Sequence, residues 1–257
     1  MQKVLEHAAD LGFKAVFVTV DTPNTGNREN TFGSPQWVTE LAANAGFPPD
    51  RSGITEVAGA GGPFCTTMSW DDIEWMSGVS DLPIVLKGVS SPLDAQLAAE
   101  MSVRGAVAGI VISNHGGRNL DGAIGTADAL PRCAAVSRQT TAIASFSCRQ
   151  LKPRADSSDS TLARQAAAKV EGSTLQIFID GGVRRGKDIV RALALGADAV
   201  MIGRPVHWAL TVGGSDGVAH ALSILKDELG MALQLCGCKS PADVVPDHVW
   251  RVDGARL

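Results

Sequence analysis

The chain has 257 residues, 45% of them hydrophobic and 19% charged, with a formal net charge of −4. That apolar fraction suffices for a full core, and a charged fraction below the ~25% of ordinary domains excludes global disorder. The weak acidity argues against a nucleic-acid partner, and without a run of 18 apolar residues no membrane span is expected.

The N-terminal MQKVLEHAADLG has the spacing of an amphipathic helix rather than a signal peptide. Five short apolar runs rich in β-branched residues then read as strands buried on both faces: Lys14–Val20, Pro83–Lys87, Val107–Ser113, Leu175–Asp180 and Asp198–Gly203. Helical patterns lie between them. One covers Trp70–Val79, with Ser69 as its N-cap. Another covers Ser91–Val103, where Ser91 caps and Pro92 takes the first helical position. A third, Gly186–Leu195, stops at Gly196. Strand and helix in alternation predict a parallel sheet in an α/β domain.

Two stretches break the rhythm. Residues 31–67 are long and rich in Gly and Pro, with a short helix expected at Gln36–Ala45; loops of this length often serve as lids or binding loops. Residues 137–172 carry no apolar period and read as an exposed insertion, centred on about residues 139–163. Cys65, Cys133, Cys148, Cys236 and Cys238 fit neither a disulfide framework nor a zinc knuckle. They read as the free thiols of an intracellular protein.

The informative pattern lies at the strand ends. The five ends read Thr19-Val20-Asp21-Thr22, Lys87-Gly88, Ser113-Asn114-His115-Gly116-Gly117-Arg118, Asp180-Gly181-Gly182-Val183-Arg184 and Gly203-Arg204-Pro205. Polar residues and glycines gathered at the carboxyl ends of parallel strands mark the active face of α/β folds. Gly181 and Gly182 allow close backbone approach, Arg184 and Arg204 add positive charge, and the helix starting at Gly186 is expected to aim its N-terminus at the same place. Together they predict a phosphate cradle. His115 is a candidate base near neutral pH, with Asp21 placed to stabilise its protonated form. Arg118 suits a two-pronged carboxylate contact, and Lys87, ending an apolar strand, needs an anion to face. His207 and His220 read as helix or surface residues.

With these residues in view, the sequence resembles the FMN-dependent 2-hydroxy acid oxidase and dehydrogenase family, which includes glycolate oxidase, lactate oxidase and flavocytochrome lactate dehydrogenase. The likeness is carried by GFKAVFVTVDTPNTGNRE, SWDDIEWMSGVSDLPIVLKG, GIVISNHGGRNLDG, IFIDGGVRRGKDIVRALALGADAVMIGRPVHWAL and QLCGCKSPADV. It implies a TIM (β/α)8 barrel, FMN as cofactor, and oxidation of a small 2-hydroxy acid to the 2-oxo acid. The flavin would be reoxidised by oxygen or another acceptor. Residue by residue, it implies that Thr19, Lys87 and Ser113 contact the flavin ring and that His115 is the base, supported by Asp21. It further implies that Arg28 and Arg118 hold the substrate carboxylate. Asp180, Gly181, Gly182, Arg184, Gly203 and Arg204 would surround the phosphate of FMN.

Only five strands are read where a barrel needs eight, so the expectation is that about the last five β/α units of the barrel are present. The whole chain, residues 1–257, is then one partial domain with an atypical insertion. The chain contains no tyrosine, in line with the loss of the family's active-site tyrosines. A competing expectation is a non-catalytic partial barrel that no longer holds flavin. A phosphate-binding barrel enzyme without flavin fits less well, because Lys87 beside SNHGGR suits a flavin and a carboxylate. A complete protein is expected to be a homo-oligomer. The terminal Ala255-Arg256-Leu257 resembles the peroxisomal address tripeptide, so the expected location is peroxisomal or cytoplasmic.

Overall fold

The computed structural model describes residues 2–23, 65–137 and 173–250. The expected helix at Gln36–Ala45, the insertion around residues 139–163, Cys148, Arg28 and the C-terminal tripeptide lie outside the described residues.

In chain order the elements are α1 (Gln2–Asp10), β1 (Val16–Thr19), α2 (Trp70–Val79), β2 (Ile84–Val89), α3 (Pro92–Val103) and β3 (Gly109–Ile112). A 3-10 turn (His115–Gly117), α4 (Thr126–Ser137), β4 (Gln176–Ile179), α5 (Gly186–Ala194), β5 (Ala199–Val200) and α6 (Arg204–Leu235) come next. The strands form one parallel sheet in the order β1-β2-β3-β4-β5. Each strand pairs with the next, so the winding never reverses. That is the order of successive barrel units rather than of a doubly wound sheet.

The caps are set by the local sequence. The Ser91 hydroxyl accepts from the Leu93 amide at 3.2 Å, with Pro92 at the start of α3. At the head of α2, the Asp72 carboxylate accepts from the Ser69 amide at 2.7 Å and hydroxyl at 3.0 Å. A serine with a carboxylate three residues later stops the chain from fraying there.

Alternate strand residues point to opposite faces. Val18, Ile84, Leu86, Ile110, Ile112, Ile177 and Ile179 pack against the helices, in one cluster with Ala95, Ala98, Ala99, Leu130 and Cys133. The small residues of α3 let α4 come close, and Ser137 Oγ donates to the Ala95 carbonyl at 3.2 Å. Phe17 and Phe178 belong to the opposite set of positions, on β1 and β4, which are three strands apart. Their ring centroids are nonetheless 6.3 Å apart. A flat sheet would hold these strands ~14 Å apart, so the sheet curls toward closure. Gly109 permits this: a Cβ there would lie 3.1 Å from the Phe178 ring and 3.0 Å from the Gln176 carbonyl.

One expectation needs correction, and one element went unread. The fifth strand is only Ala199–Val200, because after Met201 donates to the Ile179 carbonyl the chain turns away into α6. The long α6 did not stand out in the sequence. Its middle holds Gly213 and Gly214 in non-helical geometry, so two helical stretches meet at a kink there. Among the described residues no helix is long and apolar enough to cross a membrane.

The four cysteines of the described residues are unbridged. Cys133 is fully buried, and burial pushes its thiol up to about 12. Cys65 is exposed. At pH 8 an alkylating reagent should therefore label Cys65 in the native protein and spare Cys133 until denaturant is added, because the thiolate is the reacting form. Peptide mass spectrometry reads this directly, and native labelling of Cys133 would contradict the packing of α4.

Candidate active site

The carboxyl ends of β1 to β4 converge on Lys87. Its Nζ donates to Ser113 Oγ at 3.1 Å and lies 3.8 Å from Asp21 Oδ2 and 3.6 Å from Asp180 Oδ2. Register explains the meeting: Thr19 pairs with Lys87, and Lys87 with Val111, so the residues just beyond Thr19 and Ile112 flank the lysine. The ladder is irregular between Lys87 and Val89, at Gly88, whose φ is +113°. A Cβ at Gly88 would stand 2.5 Å from Asp21 Cβ and Cγ. This bulge re-aims the strand end beside the site, as bulges commonly do.

His115 lies next to this cluster. Its Nδ1 is 3.1 Å from Asp21 Oδ1 and 3.2 Å from Thr22 Oγ1. Its amide donates to Ser113 Oγ at 3.1 Å. Ser113 is 1% exposed and accepts from both Lys87 and the His115 amide, so it couples the strand end to the turn. His115 has φ +55°, the one non-glycine residue with positive φ among the described residues. Left-handed backbone costs a non-glycine residue about 1–2 kcal/mol. Gly116 and Gly117, also left-handed, complete the turn, and Arg204 Nη2 fastens it by donating to the Gly116 carbonyl at 3.1 Å.

Asp21 Oδ2 and Asp180 Oδ1 are buried and have no hydrogen-bond partner among the described residues. Buried polar atoms are normally satisfied, and the Lys87 ammonium offsets the cost here only in part. These two oxygens mark a site with polar capacity left over.

A cleft of about 200 Å³ opens beside Lys87 and His115, with Arg118, Gly182, Arg184 and Arg204 on its wall. Gly181 and Gly182 have φ of +90° and +76°, and no atom lies within 4 Å of where a Cβ of Gly182 or Gly203 would be. A larger cavity of about 840 Å³ shares His115 and runs along β1 past Thr19 and Thr22 to Trp70 and Ile73. The larger volume is mainly apolar-walled, while the charged groups gather on the smaller one.

The structure thus brings together Asp21, Lys87, Ser113, His115, Asp180 and the arginines, with Thr19 on the adjoining wall. Two details differ from the sequence reading. The N-terminus of α5 is not open to an anion. Asp188 Oδ2 accepts from the Arg184 and Arg185 amides at 3.1 and 3.0 Å, and Glu228 Oε2 accepts from the Gly186 amide at 2.9 Å. Arg184 Nη1 also folds back onto the Val183 carbonyl at 3.0 Å. Positive charge on the cleft therefore comes from Lys87 and the guanidinium groups of Arg118, Arg184 and Arg204, not from α5. Sequence reading also missed Thr22 and Asn119, both hydrogen-bonded into the Asp21–His115 pair, and His207, which lines the small cleft from α6.

Comparison with known proteins places the chain in a family. Residues 1–251 match the model of the FMN-dependent dehydrogenase family, and the chain belongs to that family. An L-lactate oxidase of Nostoc sp. is 38% identical over 252 residues, covering 94% of this chain and 58% of the relative. A peroxisomal (S)-2-hydroxyacid oxidase of Arabidopsis thaliana is 35% identical over 261 residues, covering 99% of this chain and 61% of the relative. Among solved structures, the flavin-binding domain of baker's yeast flavocytochrome b2 superposes with a TM-score of 0.67 at 32% identity, over 96% of this chain and 50% of that one. The chain therefore spans a little under three fifths of the length of an oxidase such as that of Nostoc. The five-stranded sheet is part of a (β/α)8 barrel of the kind these flavoproteins have.

Proposed function

We propose that the intact protein bearing this chain oxidises a small 2-hydroxy acid to the 2-oxo acid with FMN, the electrons passing on to oxygen or another acceptor. The observation that carries this reading is the Asp21–His115 pair, 3.1 Å apart, set between Lys87 and a cleft that also holds Arg118. The family is FMN-dependent, and the residues present fit that group. The small cleft has the cationic walls and bare glycines that a phosphate needs, and the orphaned carboxylate oxygens and Lys87 lie between it and the apolar cavity. In this reading Gly181, Gly182, Arg184, Gly203 and Arg204 hold the phosphate end, with Asp180 fixing Lys87, while Thr19, Lys87 and Ser113 line the ring. When bound, FMN supplies a two-electron acceptor for the hydrogen leaving the hydroxyl-bearing carbon.

The chain's own groups do the rest. Arg118, with Arg28 from outside the described residues, grips the carboxylate and sets the hydroxyl toward His115. His115 Nε2 takes the hydroxyl proton as the C–H bond breaks, and Asp21 stabilises the imidazolium that results. Lys87 presents a fixed positive charge where negative charge would gather.

Residues 1–257 are one portion of a single domain in this reading, with residues 139–163 an addition to it. A homo-oligomer is expected of the intact protein, and Ala255-Arg256-Leu257 resembles the peroxisomal address tripeptide, so its location is peroxisomal or cytoplasmic.

Arg118→Lys tests the substrate assignment. Lysine keeps the charge but loses the planar two-donor fork. Losing one charge-assisted hydrogen bond costs about 1.5–3 kcal/mol, so the affinity for oxalate should fall by ~10- to 100-fold. Isothermal titration with oxalate measures this, and an unchanged affinity would remove Arg118 from the site.

A further inference from the structure

Thr22 and Asn119 sit outside the roles assigned above, yet both bear on the side of His115 that the base does not use. Asn119 Nδ2 donates to the Asp21 carbonyl at 2.8 Å and to Thr22 Oγ1 at 2.8 Å. A carbonyl oxygen only accepts, so the amide nitrogen faces it and the amide has one orientation. The Thr22 hydroxyl, already accepting from Asn119, has its own proton to place, and Asp21 Oδ1 stands 3.3 Å away. His115 Nδ1 completes a triangle, 3.1 Å from Asp21 Oδ1 and 3.2 Å from Thr22 Oγ1.

We infer that Thr22 and Asn119 are positioning residues which, with Asp21, hold the proton of neutral His115 on Nδ1 and so leave Nε2 bare to act as base. The proton count permits little else. An unprotonated Nδ1 would bring its lone pair against a carboxylate oxygen at 3.1 Å. Protonated, it has two acceptors, Asp21 Oδ1 and the remaining lone pair of Thr22 Oγ1. Asn119 fixes that hydroxyl from the far side and ties the residue 115–119 turn to the end of β1. The cost of the arrangement is visible: Asn119 Oδ1 is buried without a hydrogen-bond partner among the described residues. Such an atom typically costs ~1–3 kcal/mol, so the bonds made by the amide nitrogen are the gain.

The inference rests on the reading of His115 as base, and its test separates the two. In the intact protein, Thr22→Val removes the hydroxyl at nearly constant shape, Asn119→Ala removes the group that fixes it, and Thr22→Ser restores it. Two quantities are measured: steady-state oxidation of a 2-hydroxy acid, and the rate at which diethyl pyrocarbonate modifies His115 in the flavin-free protein, read by peptide mass. That reagent attacks an unprotonated ring nitrogen, and Nδ1 is shielded by Asp21 and Thr22. Thr22→Val and Asn119→Ala should each lower kcat and the modification rate roughly tenfold, the effect of one lost hydrogen bond, with KM nearly unchanged. Thr22→Ser should match the wild type. Modification of Thr22→Val as fast as wild type would overturn the inference, as would a Thr22→Ser protein as slow as Thr22→Val. Should Thr22→Val fail to fold, Asn119→Ala decides the matter by the same two rates. Should no variant or wild type oxidise a 2-hydroxy acid, the proposed function falls, while the modification rates still decide the role of Thr22.

Discussion

His115→Gln in the flavin-loaded intact protein should keep its yellow colour and lose ~10²- to 10⁴-fold in the rate of flavin reduction, the usual contribution of a general base. Glutamine is close in size, and its amide can still donate to Asp21 Oδ1, now 3.1 Å from the imidazole. It has no group that accepts a proton near neutral pH. In the proposed function the phosphate is held mainly by Gly181, Gly182, Arg184, Gly203 and Arg204 of the small cleft, so binding should survive. One secondary loss is expected, because position 115 has φ +55° and the neighbouring Gly116 carbonyl is the acceptor for Arg204. Anaerobic stopped-flow measurement gives the rate of bleaching directly. Equal rates in mutant and wild type would take the role of base away from His115.

Gly88→Ala should be the most damaging single methyl group in the described part of the sheet. The backbone at Gly88 has φ +113°, outside the region that alanine adopts, and the added Cβ would stand 2.5 Å from Asp21 Cβ and Cγ. Strain and overpacking each cost ~1–3 kcal/mol, so a loss of roughly 2–6 kcal/mol is expected. The clash falls on the carboxylate that orients His115, so activity should drop further than the stability loss explains. Calorimetry gives the first effect and the rate of flavin reduction in the surviving folded fraction gives the second. A melting temperature within about a degree of wild type, against the several degrees such a loss implies, would show that β2 can shift away from Asp21.

The strands were legible because buried parallel strands are continuous apolar runs, and all five expected runs hold a strand, four trimmed at both ends and β2 running on past Lys87 to Val89. The trimming is physical. Lys14 and Ala15 precede the first ladder bond, at Val16, and the chain beyond Met201 is committed to α6. Helix α6 was hidden because Gly213 and Gly214 break its period, so the sequence shows neither a long helix nor a clear stop. The site was legible where its residues stand within the end of a strand, as at Lys87, or within three residues beyond it, as at Asp21, His115 and Asp180. It was illegible where geometry depends on how a turn folds back. Asn119 reaches the end of β1 only because residues 115–117 coil tightly, and Thr22 reads in sequence as an ordinary turn residue. The amides ahead of α5 look available to an anion in sequence. They are taken by Asp188 and by Glu228, the latter forty-two residues further along the chain than the Gly186 amide it accepts from.

The anaerobic visible spectrum of the intact protein, taken before and after addition of lactate or glycolate, tests the central claim most directly. The account predicts an oxidised flavin band that bleaches on addition, with one equivalent of 2-oxo acid formed per flavin. A protein without flavin, or one whose flavin band no small 2-hydroxy acid changes, would contradict it.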